Sequence, residues 1–152
     1  MARIDPHSHY DSTQPHTRHL HLKWLVDFQQ HQIRGSVTIE LEQASEGCFD
    51  LDTKAIDVHS ISTQDNADIA YQFGEADPIL GRRLRLELPN GTTSVTIHYA
   101  TSPEAIALQW FEPAMTLGKR NPFMYSQCQA IHARSISPCQ DTPRVRVSYN
   151  AA

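Results

Sequence analysis

Long apolar runs are missing from this sequence. The longest unbroken ones are only a few residues, such as Trp24-Leu25-Val26. A membrane span needs roughly 18, so no membrane partner is expected. Cysteine is scarce: Cys48, Cys128 and Cys139 are the only three. An odd count, with no apolar leader in residues 1–16, fits free thiols and a cytoplasmic location. A Cys128–Cys139 disulfide is the one pairing that stays open. Excess basic charge is lacking too. Lys and Arg number 13 against 17 Asp and Glu, for a net charge of −4. Nucleic-acid binding needs a basic footprint that this chain does not have. Leu, Ile, Val and Phe make up about a fifth of the chain, just above the level where disorder takes over, so a folded domain with a lean core is expected. Also absent are His-Glu-x-x-His, Cys-x-x-Cys, Gly-x-Gly-x-x-Gly, the P-loop and Gly-x-Ser-x-Gly.

What is present is alternation. Residues 1–18 are polar, carry Pro6 and Pro15, and read as an extended arm, ordered only if docked on something. From His19 the period is two. Leu20, Leu22, Trp24, Val26 and Phe28 lie on one face of a strand. Ile33, Val37, Ile39 and Leu41 form its hairpin partner across the polar link Gln29–Gln32, with Gly35 permitting a bend or bulge. Cys48–Leu51, Ile56–Ile61 and Ile69–Phe73 continue the pattern. Leu84, Leu86 and Leu88 alternate, Pro89-Asn90-Gly91 turns the chain, and Val95, Ile97 and Tyr99 alternate again. Ala105–Phe111 fits a strand or a short helix, and Val145, Val147 and Tyr149 close the series. No window of ten residues holds a helical period. Short strands punctuated by Gly and Pro predict an all-β fold. The last strand stops without a capping turn, which predicts an open edge able to pair with a second copy.

Nine histidines raise the question of metal. His7-x-His9 and His19-x-His21 are i, i+2 pairs, and on a strand such pairs point the same way. The first lies in the arm and the second on an exposed face, so no metal ligands are assigned. His59, His98 and His132 are isolated. Cys128 and His132 are near in sequence, but nothing sets their geometry, and no catalytic residue is assigned.

Residues 107–143 are the most unusual stretch. Gln127-Cys128-Gln129 places two amides around a thiol after Phe123 and Tyr125, and Pro138 and Pro143 follow. Amides both donate and accept, which suits a polar ligand end; equally, these are ordinary polar residues at a strand end. The blocks Ala107-Leu108-Gln109-Trp110, Tyr125-Ser126-Gln127-Cys128-Gln129-Ala130-Ile131-His132 and Pro138-Cys139-Gln140-Asp141-Thr142-Pro143 resemble the N-terminal domain of leukotriene A-4 hydrolase-like zinc aminopeptidases, in the aminopeptidase N group (peptidase M1). Asp5-Pro6-His7-Ser8, Thr17-Arg18-His19-Leu20 and Leu51-Asp52-Thr53 extend the likeness over nearly the whole chain.

The resemblance implies a saddle-like antiparallel β-sandwich, residues 19–152, lacking its last strands and packed on a catalytic domain of the same enzyme. It implies a peptide substrate, with Gln127, Gln129 and Ala130 lining the cleft. Gln129 would hold the free amino end, Ala130 would offer its backbone beside the first side-chain pocket, and Phe123 and Tyr125 would support the loop. The family's zinc ligands and general base have no counterpart here. The chain is therefore expected to be non-catalytic alone and to hold no cofactor. An epoxide hydrolase activity, known in one branch, requires the same zinc. His21 and Trp24 depart from the family pattern. A free-standing or self-associating β module derived from that family is the alternative reading.

Overall fold

The computed structural model describes residues 5–152, so the first four residues of the arm lie outside it. Eight strands follow in order: β1 (Thr17–Asp27), β2 (Gln32–Thr53), β3 (Ile56–Thr63), β4 (Tyr71–Phe73), β5 (Arg82–Thr101), β6 (Leu108–Phe111), β7 (Phe123–Ser126) and β8 (Ser148–Ala151). The only helical pieces among the described residues are two single 3-10 turns, Pro113–Met115 and Ala133–Ser135. The all-β expectation holds. Six strands form one sheet in the order β3-β5-β2-β1-β8 with β4 also on β5, and β6 and β7 form a ribbon of two. The pairing is antiparallel throughout except at one place: β8 joins β1 in parallel, His19 opposite Ser148 and Leu22 opposite Ala151. A strand that returns from the far end of a long crossover is free to run either way, and alternation alone does not encode that direction.

The β1–β2 hairpin forms as read. Asp27 Oδ1 accepts the backbone N–H groups of Gln29 (3.0 Å) and Gln30 (2.9 Å), which closes the turn. Gly35, however, marks no bend. It sits in unbroken register opposite Trp24, where an added Cβ would lie 1.9 Å from the Lys23 carbonyl oxygen. Close approach of two backbones is what requires glycine there.

Two pairs of segments read as separate strands each form one strand. β2 runs 22 residues and β5 runs 20. Pro89-Asn90-Gly91 does not reverse β5; it bends it. The β2–β5 register shifts between Glu40 and Gly47, at the same level as this bend. Both strands therefore deform together and their ladder resumes beyond, Cys48 opposite Glu87 through Thr53 opposite Arg82. Gly91, at φ +81° with open space around it, supplies the left-handed backbone. A turn motif and a paired bend share the same residues; only the partner strand distinguishes them.

The alternating apolar residues meet as expected. Val37, Ile39, Phe49, Leu51, Leu84, Leu86, Val95 and Ile97 are all fully buried in one cluster. A second, smaller cluster gathers Ile33, Ala105, Ala107, Leu108 and Ile136. Trp24 packs against both. Its indole N–H donates to the Tyr99 hydroxyl at 2.8 Å, and burial pushes the Tyr99 phenol up to about 12. The unusual tryptophan thus joins the main core to the layer that carries the 128–143 segment.

Gly35→Ala is expected to cost about 1–3 kcal/mol by overpacking the β1–β2 contact, whereas Gly91→Ala, with free space, should cost about 1 kcal/mol from backbone strain alone. Urea unfolding of the two variants side by side measures the difference; equal losses would contradict the assignment of Gly35 to close packing.

Candidate functional site

The arm is docked, and its anchor is charge. Arg134 is fully buried. Its guanidinium donates from Nε to Asp141 Oδ2 (3.0 Å), from Nη1 to the Leu80 carbonyl (2.9 Å) and from Nη2 to the His7 carbonyl (2.8 Å) and the Asp141 carbonyl (3.1 Å). Asp52, at the end of β2 and equally buried, lies 3.7 Å away. Asp52 itself accepts the Ser8 hydroxyl (2.5 Å), the His9 backbone N–H (2.8 Å) and the Asp141 backbone N–H (3.0 Å), and its Oδ1 pairs with His9 Nδ1 at 2.8 Å. One cation and two carboxylates so tie together the arm, the sheet and the segment that holds Gln129.

The carboxylates respond differently. Burial of Asp52 opposes its ionisation, but the hydrogen bonds from His9 and Ser8 and the nearby Arg134 charge outweigh that and hold it below the usual range. Burial of Asp141 prevails over its bond to Arg134 and pushes it upward. Asp52 has more donors aimed at it, which is the physical difference.

The neighbouring residues complete the clamp. Gln140 Oε1 accepts the Thr17 N–H (3.0 Å) and hydroxyl (2.9 Å), and its amide donates to the Pro15 carbonyl (2.9 Å). The Thr142 hydroxyl donates to Asp5 at 2.6 Å. The Ser135 hydroxyl accepts the Ala107 N–H (3.2 Å) and donates to the His132 carbonyl (2.8 Å). Every polar side chain of the Gln140-Asp141-Thr142 block therefore serves to hold the arm or the loop in place.

The loop itself projects from this base. Gln127 extends the β6–β7 ladder by one bond, its N–H donating to the Ala107 carbonyl at 2.8 Å, and the His132 N–H closes on the Cys128 carbonyl at 2.8 Å. The Gln129–Ala130 peptide bond is cis. Gln127, Gln129 and Ala130 are all exposed. Gln129 and Ala130 line a groove of about 670 Å³ together with Cys128, Ile131, Asp5, His7 and Pro143. Gln127 does not line that groove. It continues the outer face of β7, in line with Phe123 and Tyr125, which are exposed rather than supporting the loop from beneath. Support comes instead from Leu108, Ile136 and Cys128 in the second cluster and from Arg134. Arg134 and Asp52 fall within or beside blocks that carry the family likeness, but the sequence alone gave neither a role. The available signal was a charge set between Ile131 and Ile136, which marks a burial site only if the charge has a partner.

The cysteines are unpaired: the Cys128–Cys139 disulfide does not form. Burial pushes the Cys139 thiol well above its usual range and that of Cys128 upward as well, which argues against either as a nucleophile. The His19 and His21 rings do share a face, 4.4 Å apart. His19 is bonded to Ser148 (2.6 Å) and His21 to Glu40 (2.7 Å). Among the described residues no three His, Cys, Asp or Glu side chains are placed to hold a metal ion. Among the described residues no helix is long and apolar enough to cross a membrane.

Residues 7–152 match the family model for the Peptidase M1 N-terminal domain. The chain belongs to this family. Leucine aminopeptidase 2 of Chaetomium globosum is 38% identical over 99% of the chain, and the leukotriene A-4 hydrolase homolog of Botryotinia fuckeliana is 34% identical over 96%. The chain spans about a quarter of the length of these relatives, 26% and 24%. Native yeast LTA4 hydrolase superposes on this M1 domain with a TM-score of 0.86, at 31% identity over 99% of the chain and 24% of its own. An M1 zinc metallopeptidase of Deinococcus radiodurans, at 13% identity and a TM-score of 0.65 over 91% of the chain and 32% of its own, shares the fold.

Two outcomes test the base of the site. Arg134→Met is expected to cost about 3–5 kcal/mol, because it leaves buried carboxylates without their cation; a loss below 1 kcal/mol in urea unfolding would contradict this. The pH dependence carries a sign. Asp52 holds its proton more weakly folded than unfolded, so its contribution is complete above about pH 4 and is lost as pH falls further. Asp141 works in the opposite sense: its raised folded value contributes at acid pH and that contribution is lost as pH rises. Asp52→Asn should therefore flatten the fall in stability between about pH 4 and 2, read from unfolding midpoints across pH.

Proposed function

We propose that this domain forms one side of the peptide cleft of a zinc-dependent aminopeptidase and recognises the amino end of the peptide without breaking any bond itself. The observation that carries this reading is the exposed pair Gln129–Ala130 on a groove wall, fixed from below by the buried Arg134 network. An exposed amide on a rigid base is prepared for an external partner. Gln129 Oε1 accepts from the peptide ammonium. Because the amide is neutral, it orients the ammonium with less attraction than a carboxylate would give. Ala130 borders the first side-chain pocket with little bulk. Gln127, on the adjoining face, meets the peptide further along.

Hydrolysis of the amide bond requires a metal-activated water and a general base. These would come from a catalytic domain carried by the full-length protein, the partner against which this domain packs. Relatives four times as long, named leucine aminopeptidase 2, support that assignment. Three unpaired cysteines agree with a reducing, cytoplasmic setting.

In a full-length zinc aminopeptidase carrying this domain, Gln129→Ala should raise KM for leucine amide about tenfold, with zinc content unchanged. An unaltered KM would overturn the role given to Gln129. The isolated chain should release no chromophore from leucine p-nitroanilide, with or without added zinc, and zinc-dependent turnover that copurifies with it would overturn the non-catalytic reading. A second reading rests on β8. It is one edge of the sheet, and all four of its residues are exposed, so its free backbone groups can pair with another copy. Light scattering at rising concentration separates a monomer from that dimer.

A further inference from the structure

The His19-x-His21 pair takes no part in the Arg134 clamp or in the groove at Gln129. A strand period of two puts both rings on the outer face of β1, away from the core-packed Leu20 and Leu22. Antiparallel register on one side sets Glu40 of β2 across from His19. Parallel register on the other side sets Ser148 of β8 across from His19 and Asn150 across from His21. Polar residues of three strands so meet on one patch, in which His19, His21 and Glu40 are half-exposed. Nδ1 of His19 lies 2.6 Å from the Ser148 hydroxyl, and Nδ1–H of His21 donates to Asn150 Oδ1 at 3.1 Å. The two ring centres are 4.4 Å apart, with the planes inclined at 58°.

With Nδ1 engaged on β8, each ring has Nε2 left over. At His21 that atom meets Glu40 Oε1 at 2.7 Å. A carboxylate oxygen only accepts, and the Nδ1 proton of His21 is already committed to Asn150. Nε2 and the carboxylate therefore need a cation between them, a second proton or a metal ion. Histidines that ligate a metal spend the other ring N–H on a partner that fixes the tautomer and the ring's direction, and Ser148 and Asn150 stand in that position. The spacing agrees. Two imidazoles at right angles on one ion, with metal–nitrogen bonds of about 2.0 Å, have ring centres roughly 4.5 Å apart. Arg18 already meets the other oxygen of Glu40 at 2.6 Å. Glu40 so supplies a fixed negative charge, and the two imidazoles supply the ligand atoms.

We propose that His19 and His21 bind one divalent transition-metal ion through their Nε2 atoms, with water completing its coordination shell, in a site open to solvent and separate from the Gln129 groove. Imidazole nitrogen suits nickel, copper and zinc, whereas magnesium and calcium seek oxygen. On binding, the metal–nitrogen bond at His21 takes the place of the Nε2–H bond, and that proton leaves to solvent. No electron is transferred. The site does not depend on whether Gln129 holds a peptide.

The test uses the 152-residue chain at neutral pH, with zinc chloride and nickel chloride as probes and magnesium chloride as the control. Calorimetric titration should show zinc and nickel each filling one site per chain, and magnesium giving no heat. His19→Gln and His21→Gln should each weaken both ions about tenfold or more, because chelation by two imidazoles is lost. Asn150→Ala should weaken them severalfold by freeing the His21 ring, while His59→Gln and Cys48→Ser should change nothing. The two rings are half-exposed, so the melting temperature of the glutamine variants should hold, which separates lost binding from lost folding. One measurement needs no variant at all. In the unaltered chain, zinc should shift the ring signals of His19 and His21 by NMR and leave the other seven histidines in place. Binding that survives either glutamine variant, binding that requires Cys48, ring shifts confined to His7 and His9 of the arm, or no heat from either ion at millimolar concentration overturns the proposal.

Discussion

The buried guanidinium of Arg134 is what the rest of this domain depends on. A charge with no exposure to water is tolerable only when its donors are met, and here they are met by the arm at His7, by the 80s loop at Leu80 and by Asp141. Such a network is weak evidence for extra stability, since apolar replacements of equal volume can do as well. Its value lies in geometry. A planar group with fixed donor directions accepts one arrangement of its partners, and that arrangement sets where the Gln129 loop leaves the body of the domain.

Packing is distributed unevenly. The long β2–β5 ladder and its apolar face form the stiff base. A second, smaller cluster seats the β6–β7 ribbon, with Trp24 bonded to Tyr99 between the two. The loop from Gln127 to Ile131 lies above this base with its polar side chains turned outward. Under the proposed function, side chains held on such a scaffold would lose little entropy when a ligand arrives.

Much of this was legible in residue order. Alternation located β1, β2, β3 and both halves of β5, because a sheet with one buried face imposes a period of two. The amides around Cys128 stood out through their neighbours. Other features were not legible, for one shared reason: they depend on what lies opposite. Gly35 suggested a bend and serves close packing. Pro89-Asn90-Gly91 suggested a reversal and serves a bend shared with β2. Phe123 and Tyr125 suggested internal support, and their outward direction follows from Trp110 and Met124 occupying the inner face. Arg134 and Asp52 are 82 positions apart in sequence, and neither announces the other.

Residue order alone determined the all-β class and the two-residue period of the long strands, because those follow from local stereochemistry and the hydrophobic pattern. Only the tertiary structure decided the parallel attachment of β8, the burial of Arg134 between two carboxylates and the separation of Gln127 from the Gln129 groove. Each of these is a matter of which distant group comes to lie within bonding distance, and a chain acquires such distances only by folding.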